Sequence, residues 1–258
     1  TGTSPEEIGL IIVGTITPDY ATPSTACLVQ GAIGAVNAFA FDISAACSGF
    51  VYSMSIADKF IKNGTCKKAM VIGAETLSKI VDWEDRSTCV LFGDGAGGAL
   101  LAPCEEGGIL AEDLHAKGED GLKLTGSSRQ VNNMLCKAEE NDNKYLAMDG
   151  RAIFNFSTKV VPASIKNILE NAGLSADDIK YVIPHQANSR IIDVVAKKLG
   201  MPIEKFYLNL SEYGNTSAGS IPIALAEMDK EGLIEKGDKI IITGFGGGLT
   251  WGSILIEW

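Results

Sequence analysis

Histidine is scarce in this 258-residue chain, occurring only at positions 115 and 185, so any imidazole chemistry falls to one of two residues. Cysteine is present without a pattern. Cys27, Cys47, Cys66, Cys89, Cys104 and Cys136 are scattered, with no Cys-x-x-Cys pair and no Cys/His cluster of zinc-finger spacing. That argues against a disulfide framework and against a bound metal or other metal cofactor. Basic residues are outnumbered, 22 Lys and Arg against 32 Asp and Glu, for a formal net charge of -10. A general nucleic-acid binder needs a basic surface to release phosphate counterions, so no nucleic-acid partner is expected, and an anionic partner must meet a local basic patch. No apolar run is long enough to span a bilayer, and the start, Thr1-Gly2-Thr3-Ser4-Pro5-Glu6-Glu7, lacks the charged and apolar regions of a signal peptide. These absences predict a cytoplasmic protein with no membrane span. What is there, 46% hydrophobic residues, suffices for one large or two smaller cores.

The stretch from Phe39 to Ser53 organises the rest. Phe39 to Ile43 has the length and the aromatic and β-branched content of a buried strand, and Ser44 to Ser48 is a turn of small residues. The segment after it is apolar at Phe50, Val51, Met54, Phe60 and Ile61 with helical spacing. Strand, sharp turn and helix place Cys47 at a helix start, where orphan N–H groups and the helix dipole favour thiolate and predict a depressed thiol pKa. Taken alone, a free cysteine is more often a packing group than a nucleophile.

Along the chain, Ser4-Pro5-Glu6-Glu7 predicts a short helical turn leading into a strand over 10–14. A two-proline loop precedes a helix expected from about Thr25 to Asn37. Positions 67–74 read as another buried strand, ending Val-Ile-Gly-Ala-Glu. Positions 90–102, apolar with four glycines, read as paired strands in a tightly packed sheet. From Glu105 to Asp149 the chain is polar and poor in periodicity, which predicts a connecting, surface-covering region with His115 an ordinary surface or strand histidine. A helix is expected over 160–172, stopped by Gly173, and a strand over 181–184 ends at His185.

A repeat runs through this order. Ser4-Pro5-Glu6-Glu7-Ile8 before its strand matches Ser175-Ala176-Asp177-Asp178-Ile179 before its own, and the strand after Lys67 matches the strand after Asp238. Two halves of one plan are expected, 1–107 and 108–258. The second copy has a full helix ahead of its Ser-Ala-Asp-Asp-Ile, whereas the first begins almost at once, so an N-terminal strand and helix are expected to be missing.

Three further stretches carry polar groups in small-residue surroundings: Pro184-His185-Gln186-Ala187-Asn188, Gly214-Asn215-Thr216-Ser217-Ala218, and Gly244-Phe245-Gly246-Gly247-Gly248-Leu249-Thr250-Trp251-Gly252. Each alone has a bland reading, a strand-end histidine, a turn asparagine and a hairpin. With Ser44-Ala45-Ala46-Cys47-Ser48-Gly49-Phe50 they form four motifs in order, and over nearly the whole chain the sequence resembles the β-ketoacyl-[acyl carrier protein] synthase III family.

The resemblance implies an α/β thiolase fold, two duplicated halves with mixed sheets in an αβαβα arrangement, and a homodimer. It implies an acyltransferase that starts fatty acid synthesis by condensing an acyl-CoA, acetyl-CoA first among them, with malonyl-[acyl carrier protein]. Cys47, His185 and Asn215 would be catalytic, with the N–H groups of Cys47 and Gly247 as oxyanion hole. Arg86, Phe154, Asn188, Arg190 and Phe245 match the CoA and phosphopantetheine entrance. Thr22 matches a residue lining the acyl pocket from across the dimer. Arg190 and Lys197, seven apart on one helix face, would suit an acidic acyl carrier protein. No cofactor or metal is implied, acyl-CoA being a substrate. Two departures stand out: the N-terminal segment with its CoA adenine clamp is absent, and Arg151 stands where a polar contact such as asparagine is expected. A thiolase is the nearest rival, but it would place a second cysteine near the C-terminal glycine loop, and none follows Cys136. A chain-elongating synthase would want two active-site histidines. A specialised polyketide-type condensing enzyme and a catalytically dead carrier-protein binding module stay open.

Overall fold

A computed structural model describes residues 1–127, 134–135 and 144–258. In chain order it forms β1 (Leu10–Gly14), α1 (Thr25–Ile33), β2 (Phe39–Ile43), α2 (Gly49–Lys62), β3 (Ala69–Thr76), β4 (Asp94–Leu101) and β5 (Gly108–Ala116). The two-residue strands β6 (Leu124–Thr125) and β7 (Ala147–Met148) follow. Then come α3 (Gly150–Ala172), β8 (Tyr181–Pro184), α4 (Ser189–Leu199), α5 (Leu210–Tyr213), α6 (Ser220–Lys230), β9 (Lys239–Gly246) and β10 (Thr250–Glu257). Two four-stranded mixed sheets result, in the orders β2-β1-β3-β4 and β5-β10-β9-β8.

The repeat is written into the pairing. Ser4 and Ser175 each open a 3-10 turn with a reciprocal capping box, closed by Glu7 in one and Asp178 in the other. Each turn delivers a strand that pairs in parallel with a later one, Leu10 opposite Ala69 and Tyr181 opposite Ile240. Each later strand then pairs antiparallel with its successor, β3 with β4 and β9 with β10. The first sheet draws only on residues 10–101 and the second only on 108–257, which supports the proposed division at 107/108.

Helices lie on both sides of β1, and that explains why β1 is apolar at every position rather than at alternate ones. Leu10 and Ile12 face a central layer in which Phe50, Val51 and Met54 of α2 and Ile221 and Leu225 of α6 meet Ile240, Ile242 and Ile254 of the second sheet. Ile11 and Val13 face outward onto Ala26 of α1. On the far side, Val161, Ile165 and Ile168 of α3 and Ile191, Ile192 and Val195 of α4 cover Val182, Ile241 and Leu255. The layers therefore run αβαβα. Gly97 shows what the strand glycines are for: a Cβ there would lie 2.7 Å from the backbone nitrogen of Ile223 in α6.

Several boundaries differ from expectation. The 90–102 stretch holds one strand, β4, whose partner is β3. Helix α1 stops at Ile33 because Gly34 turns left-handed at φ 73°. Strand β2 is an edge strand, so it is only half-buried, with Phe39 41% exposed. Helix α3 begins at Gly150, where the Asp149 side chain caps Ala152 N–H, and runs through Pro162. Proline supplies no N–H to the Thr158 carbonyl four residues back, and Lys198 of α4 donates to that carbonyl at 2.8 Å instead. The supposed connector hides β5, which pairs along its length with β10. Its Glu112 and Asp113 mask the strand, since Glu112 faces Ser55 and Lys59 of α2. The rest of that connector, 128–133 and 136–143 with Cys136, lies outside the described residues. Among the described residues no helix is long and apolar enough to cross a membrane.

Candidate active site

Cys47 sits where the chain leaves β2 for α2. A 3-10 turn over Ala46–Ser48 joins them, and it begins with Ala46 at φ 44°, a conformation unfavourable for any residue with a Cβ. The turn is tied to the glycine loop between β9 and β10 by the Thr250 hydroxyl, which lies 3.3 Å from the Ala45 carbonyl, 3.1 Å from Ser48 Oγ and 2.9 Å from the Gly247 carbonyl. Gly246 packs so closely that a Cβ on it would lie 2.8 Å from Cys47 Cβ and 2.9 Å from its Sγ. Cys47, only 6% exposed, lines a cavity of about 560 Å³ together with Gly247, Ser217, Ile16, Leu77, Phe92 and Leu124.

The thiol is not depressed as its helix-start position predicts. Burial pushes it up to about 12, Glu75 adds to the rise, and hydrogen bonds from Ser217, from its own N–H and from Gly247 N–H pull the other way. Loss of water around the charged form outweighs the helix-terminal field here.

His185 ends β8 and Asn215 precedes α6, and both are buried. Burial pushes the His185 imidazole down to about 3, against a smaller upward pull from the Ser217 backbone, so the ring is neutral around pH 7. Its face is packed edge-on against Phe245, centroids 5.4 Å apart. Its Nδ1 lies 2.8 Å from Ser220 Oγ, which lies 2.8 Å from the Ser217 carbonyl. Asn215 is held by backbone bonds to the segment before β4, its N–H to the Leu91 carbonyl and its carbonyl from Gly93 N–H, each 2.9 Å. Its Oδ1 accepts from Ser217 N–H at 2.9 Å, which leaves Nδ2 to donate elsewhere. Ser217 thus bonds Asn215 through its N–H, reaches His185 by way of Ser220 and lines the same cavity as Cys47.

The other expected residues are spread more widely. Phe245 is 1% exposed and meets His185 rather than the cavity. Phe154 is half-buried in α3 beside the outer core. Arg86, Thr22, Asn188, Arg190, Lys197 and the odd Arg151 are exposed. Asn188 caps α4 by accepting from Arg190 N–H at 2.9 Å. Thr22 does not line the cavity of this single chain. His115 lies on β5, stacked on Trp251 with Nε2 2.8 Å from Asp113. Among the described residues no three His, Cys, Asp or Glu side chains gather to hold a metal. Sequence reasoning missed Ser217, Ser220 and Glu75. Ser217 stood inside a quoted motif, and Glu75 was visible as an acid ending the buried run Val71-Ile72-Gly73-Ala74.

Comparison with known proteins identifies the family and the fold. Residues 41–118 match the family model for 3-oxoacyl-[acyl-carrier-protein (ACP)] synthase III, and residues 169–258 match its C-terminal model. A β-ketoacyl-[acyl-carrier-protein] synthase III from Clostridium tetani is 57% identical over 265 residues, spanning 100% of this chain and 79% of that protein. The crystal structure of 3-oxoacyl-[acyl-carrier-protein] synthase III from Aquifex aeolicus superposes with a TM-score of 0.90 at 49% identity, covering 99% of this chain and 79% of that one. A synthase III structure from Thermus thermophilus gives 0.91 at 39%, covering 99% and 78%. The thiolase-type fold is thus shared with these structures, and the chain belongs to the β-ketoacyl-[acyl-carrier-protein] synthase III family of condensing acyltransferases.

Proposed function

We propose that this chain starts fatty acid synthesis by decarboxylative condensation, carried out through an acyl group held on Cys47. Cys47 attacks the thioester carbonyl of an acyl-CoA, acetyl-CoA first among them, and CoA leaves, dividing one hard carbon–carbon condensation into two easier steps. The observation that carries the reading is Cys47 in a cavity wall beside Gly247, its sulfur packed so close to the glycine loop that a Cβ on Gly246 would lie 2.9 Å from Sγ, which leaves the backbone N–H groups of Cys47 and Gly247 as the candidate donors. Beside a reacting thiol such donors are placed to hold the oxyanion of a tetrahedral intermediate.

Malonyl-[acyl carrier protein] then loses carbon dioxide, and the thioester enolate attacks the acyl carbon to give a 3-oxoacyl product. Asn215 Nδ2 and His185 Nε2 would donate to the thioester oxygen where the enolate charge develops. A donating Nε2–H requires Nδ1 to accept a hydrogen bond from Ser220, 2.8 Å away, whose hydroxyl would have to leave the Ser217 carbonyl 2.8 Å from it. The exposed entrance residues Arg86, Asn188 and Arg190 would meet CoA or phosphopantetheine, with Phe154 and Phe245 as apolar support. Arg190 and Lys197 would receive the carrier protein, and Thr22 would reach the acyl pocket of a second copy in a homodimer. The setting is the cytoplasm.

The test is the intact mass and peptide map of the protein after incubation with acetyl-CoA, alongside Cys47→Ser. The expected outcome is one acetyl group on Cys47, none on the variant, and release of carbon dioxide from malonyl-[acyl carrier protein] that depends on the intact site. Acetylation at Cys27, Cys66 or Cys89 instead of Cys47 overturns the assignment.

A further inference from the structure

Among the described residues, Glu75 is the one acid beside the site to which the acyl-enzyme reading gives no task. It lies near the end of β3, 4% exposed, and its hydrogen-bond partners among the described residues are all uncharged donors. Thr17 Oγ1 reaches it at 2.6 Å, Thr15 Oγ1 at 3.2 Å, Ile16 N–H at 3.1 and 3.2 Å, and Ser217 Oγ at 3.3 Å. A carboxylate kept this dry without a cation costs stability, since desolvation opposes its charge. The donors are arranged for the ionised form. Ser217 is itself 2% exposed and held at φ 49°, a backbone conformation that residues with a Cβ seldom adopt. Its hydroxyl donates to Glu75, and the residue lines the same cavity as Cys47.

We propose that Glu75 is the proton acceptor for Cys47, with the Ser217 hydroxyl as the relay between them. The idea rests on the acyl-enzyme reading and adds a base to it. As the bond from sulfur to the acyl carbon forms, the S–H bond breaks and its proton passes to Ser217 Oγ. The hydroxyl proton of Ser217 passes to Glu75 Oε1, so the carboxylate becomes a carboxylic acid and Ser217 is unchanged. When the tetrahedral intermediate collapses, CoA departs as thiolate and takes up a proton, which Glu75 returns by the same path. This answers how a thiol raised by burial reacts at neutral pH: it need never exist as free thiolate. Near the relay, the His185 ring is neutral. On the far side of Glu75 a cleft of about 430 Å³ also holds Asp19 and Asp94, the first paired with Lys79 and the second with Ser78.

The experiment follows alkylation of Cys47 by iodoacetamide, located by peptide mapping, from about pH 5 to 9 in the unaltered protein, Ser217→Ala and Glu75→Gln. A thiol with no base reacts in proportion to its thiolate, so the logarithm of the rate climbs with unit slope across this range. With Glu75 as base the unaltered protein climbs only until Glu75 ionises, near the value of about 6 to which burial raises it, and then levels off. Both variants lose the plateau, climb with unit slope, and at pH 7 react about 10²-fold slower or worse. Unit slope throughout in the unaltered protein, which needs no variant to fold, overturns the relay, as does a plateau kept by Ser217→Ala. Acetylation by acetyl-CoA is measured on the same samples. Acetyl on Cys47 without a plateau sinks the relay alone, while acetyl on another residue sinks the acyl-enzyme reading beneath it.

Discussion

At Asn215 the side-chain carbonyl is occupied by Ser217 N–H, so the amide presents a donor and nothing else to a substrate. His185 reaches the same end by burial, which keeps its ring neutral and able to donate. His185→Ala and Asn215→Ala are therefore expected to slow decarboxylation of malonyl-[acyl carrier protein] by about 10²- to 10³-fold while leaving acetylation of Cys47 far less affected. Separate assays of released carbon dioxide and of protein mass check this, and loss of acetylation with decarboxylation intact would reverse the roles. These residues were legible because each stands in a contiguous motif with its own turn chemistry. Glu75 and Ser217 were not, because their hydrogen bond joins positions 142 apart, and no local pattern records such a contact.

At the scale of elements, helix starts are satisfied from outside as well as within. Asp42 of β2 accepts from Thr25 N–H and Ala26 N–H of α1, each at 2.7 Å, adding to the Ser24 cap. Asp42→Ala should destabilise the fold by about 1–2 kcal/mol, the usual cost of a lost helix cap, read as a lower urea midpoint. Helix α4 turns Ile191, Ile192 and Val195 inward and leaves Arg190 and Lys197 in water. Reversing charge with Arg190→Glu and Lys197→Glu is expected to raise the KM for malonyl-[acyl carrier protein] at least tenfold at low salt, converging with the unaltered protein as salt is added. Acetylation by acetyl-CoA at the unaltered rate in the single variant Lys197→Glu, whose residue lies outside the CoA entrance, would confirm that its change acts on carrier docking. Helix α4 could be read from its period and β1 from its length. The edge position of β2 and the pairing of β5 could not, because each depends on which strand lies next to it.

For the whole molecule, two buried groups set opposing pH dependences. The His185 pKa falls from 6.5 to about 3 on folding, so the unfolded chain binds the extra proton between those values and stability is lost as pH falls through that window. The Glu75 pKa rises from 4.5 to about 6, so the folded protein binds the extra proton there and stability is lost as pH rises from about 4.5 to 6. The two effects cancel in the shared window. Removing one charge with Glu75→Gln should make the variant's stability, relative to the unaltered protein, climb by about 1.4 kcal/mol per pH unit between pH 4.5 and 6. Urea titrations across that range measure it, and parallel curves would show that Glu75 does not carry the raised pKa.

The amino-acid sequence by itself determined the family, the strand-turn-helix around Cys47, the paired Ser-initiated turns of the two halves and the residue types of the site. Each is encoded locally, by capping chemistry, glycine placement and apolar period. Only the tertiary structure decided the state of the thiol, because burial from α2, the Gly246 backbone and Ser217 outweighs a helix-terminal field that the sequence predicts correctly. It also decided that Phe245 backs His185 rather than lining the cavity, and that Ser217, whose hydroxyl donates to a carboxylate from β3, lines the same cavity as Cys47. Desolvation and hydrogen bonding between distant segments are sums over three-dimensional neighbours, and a linear pattern does not contain them.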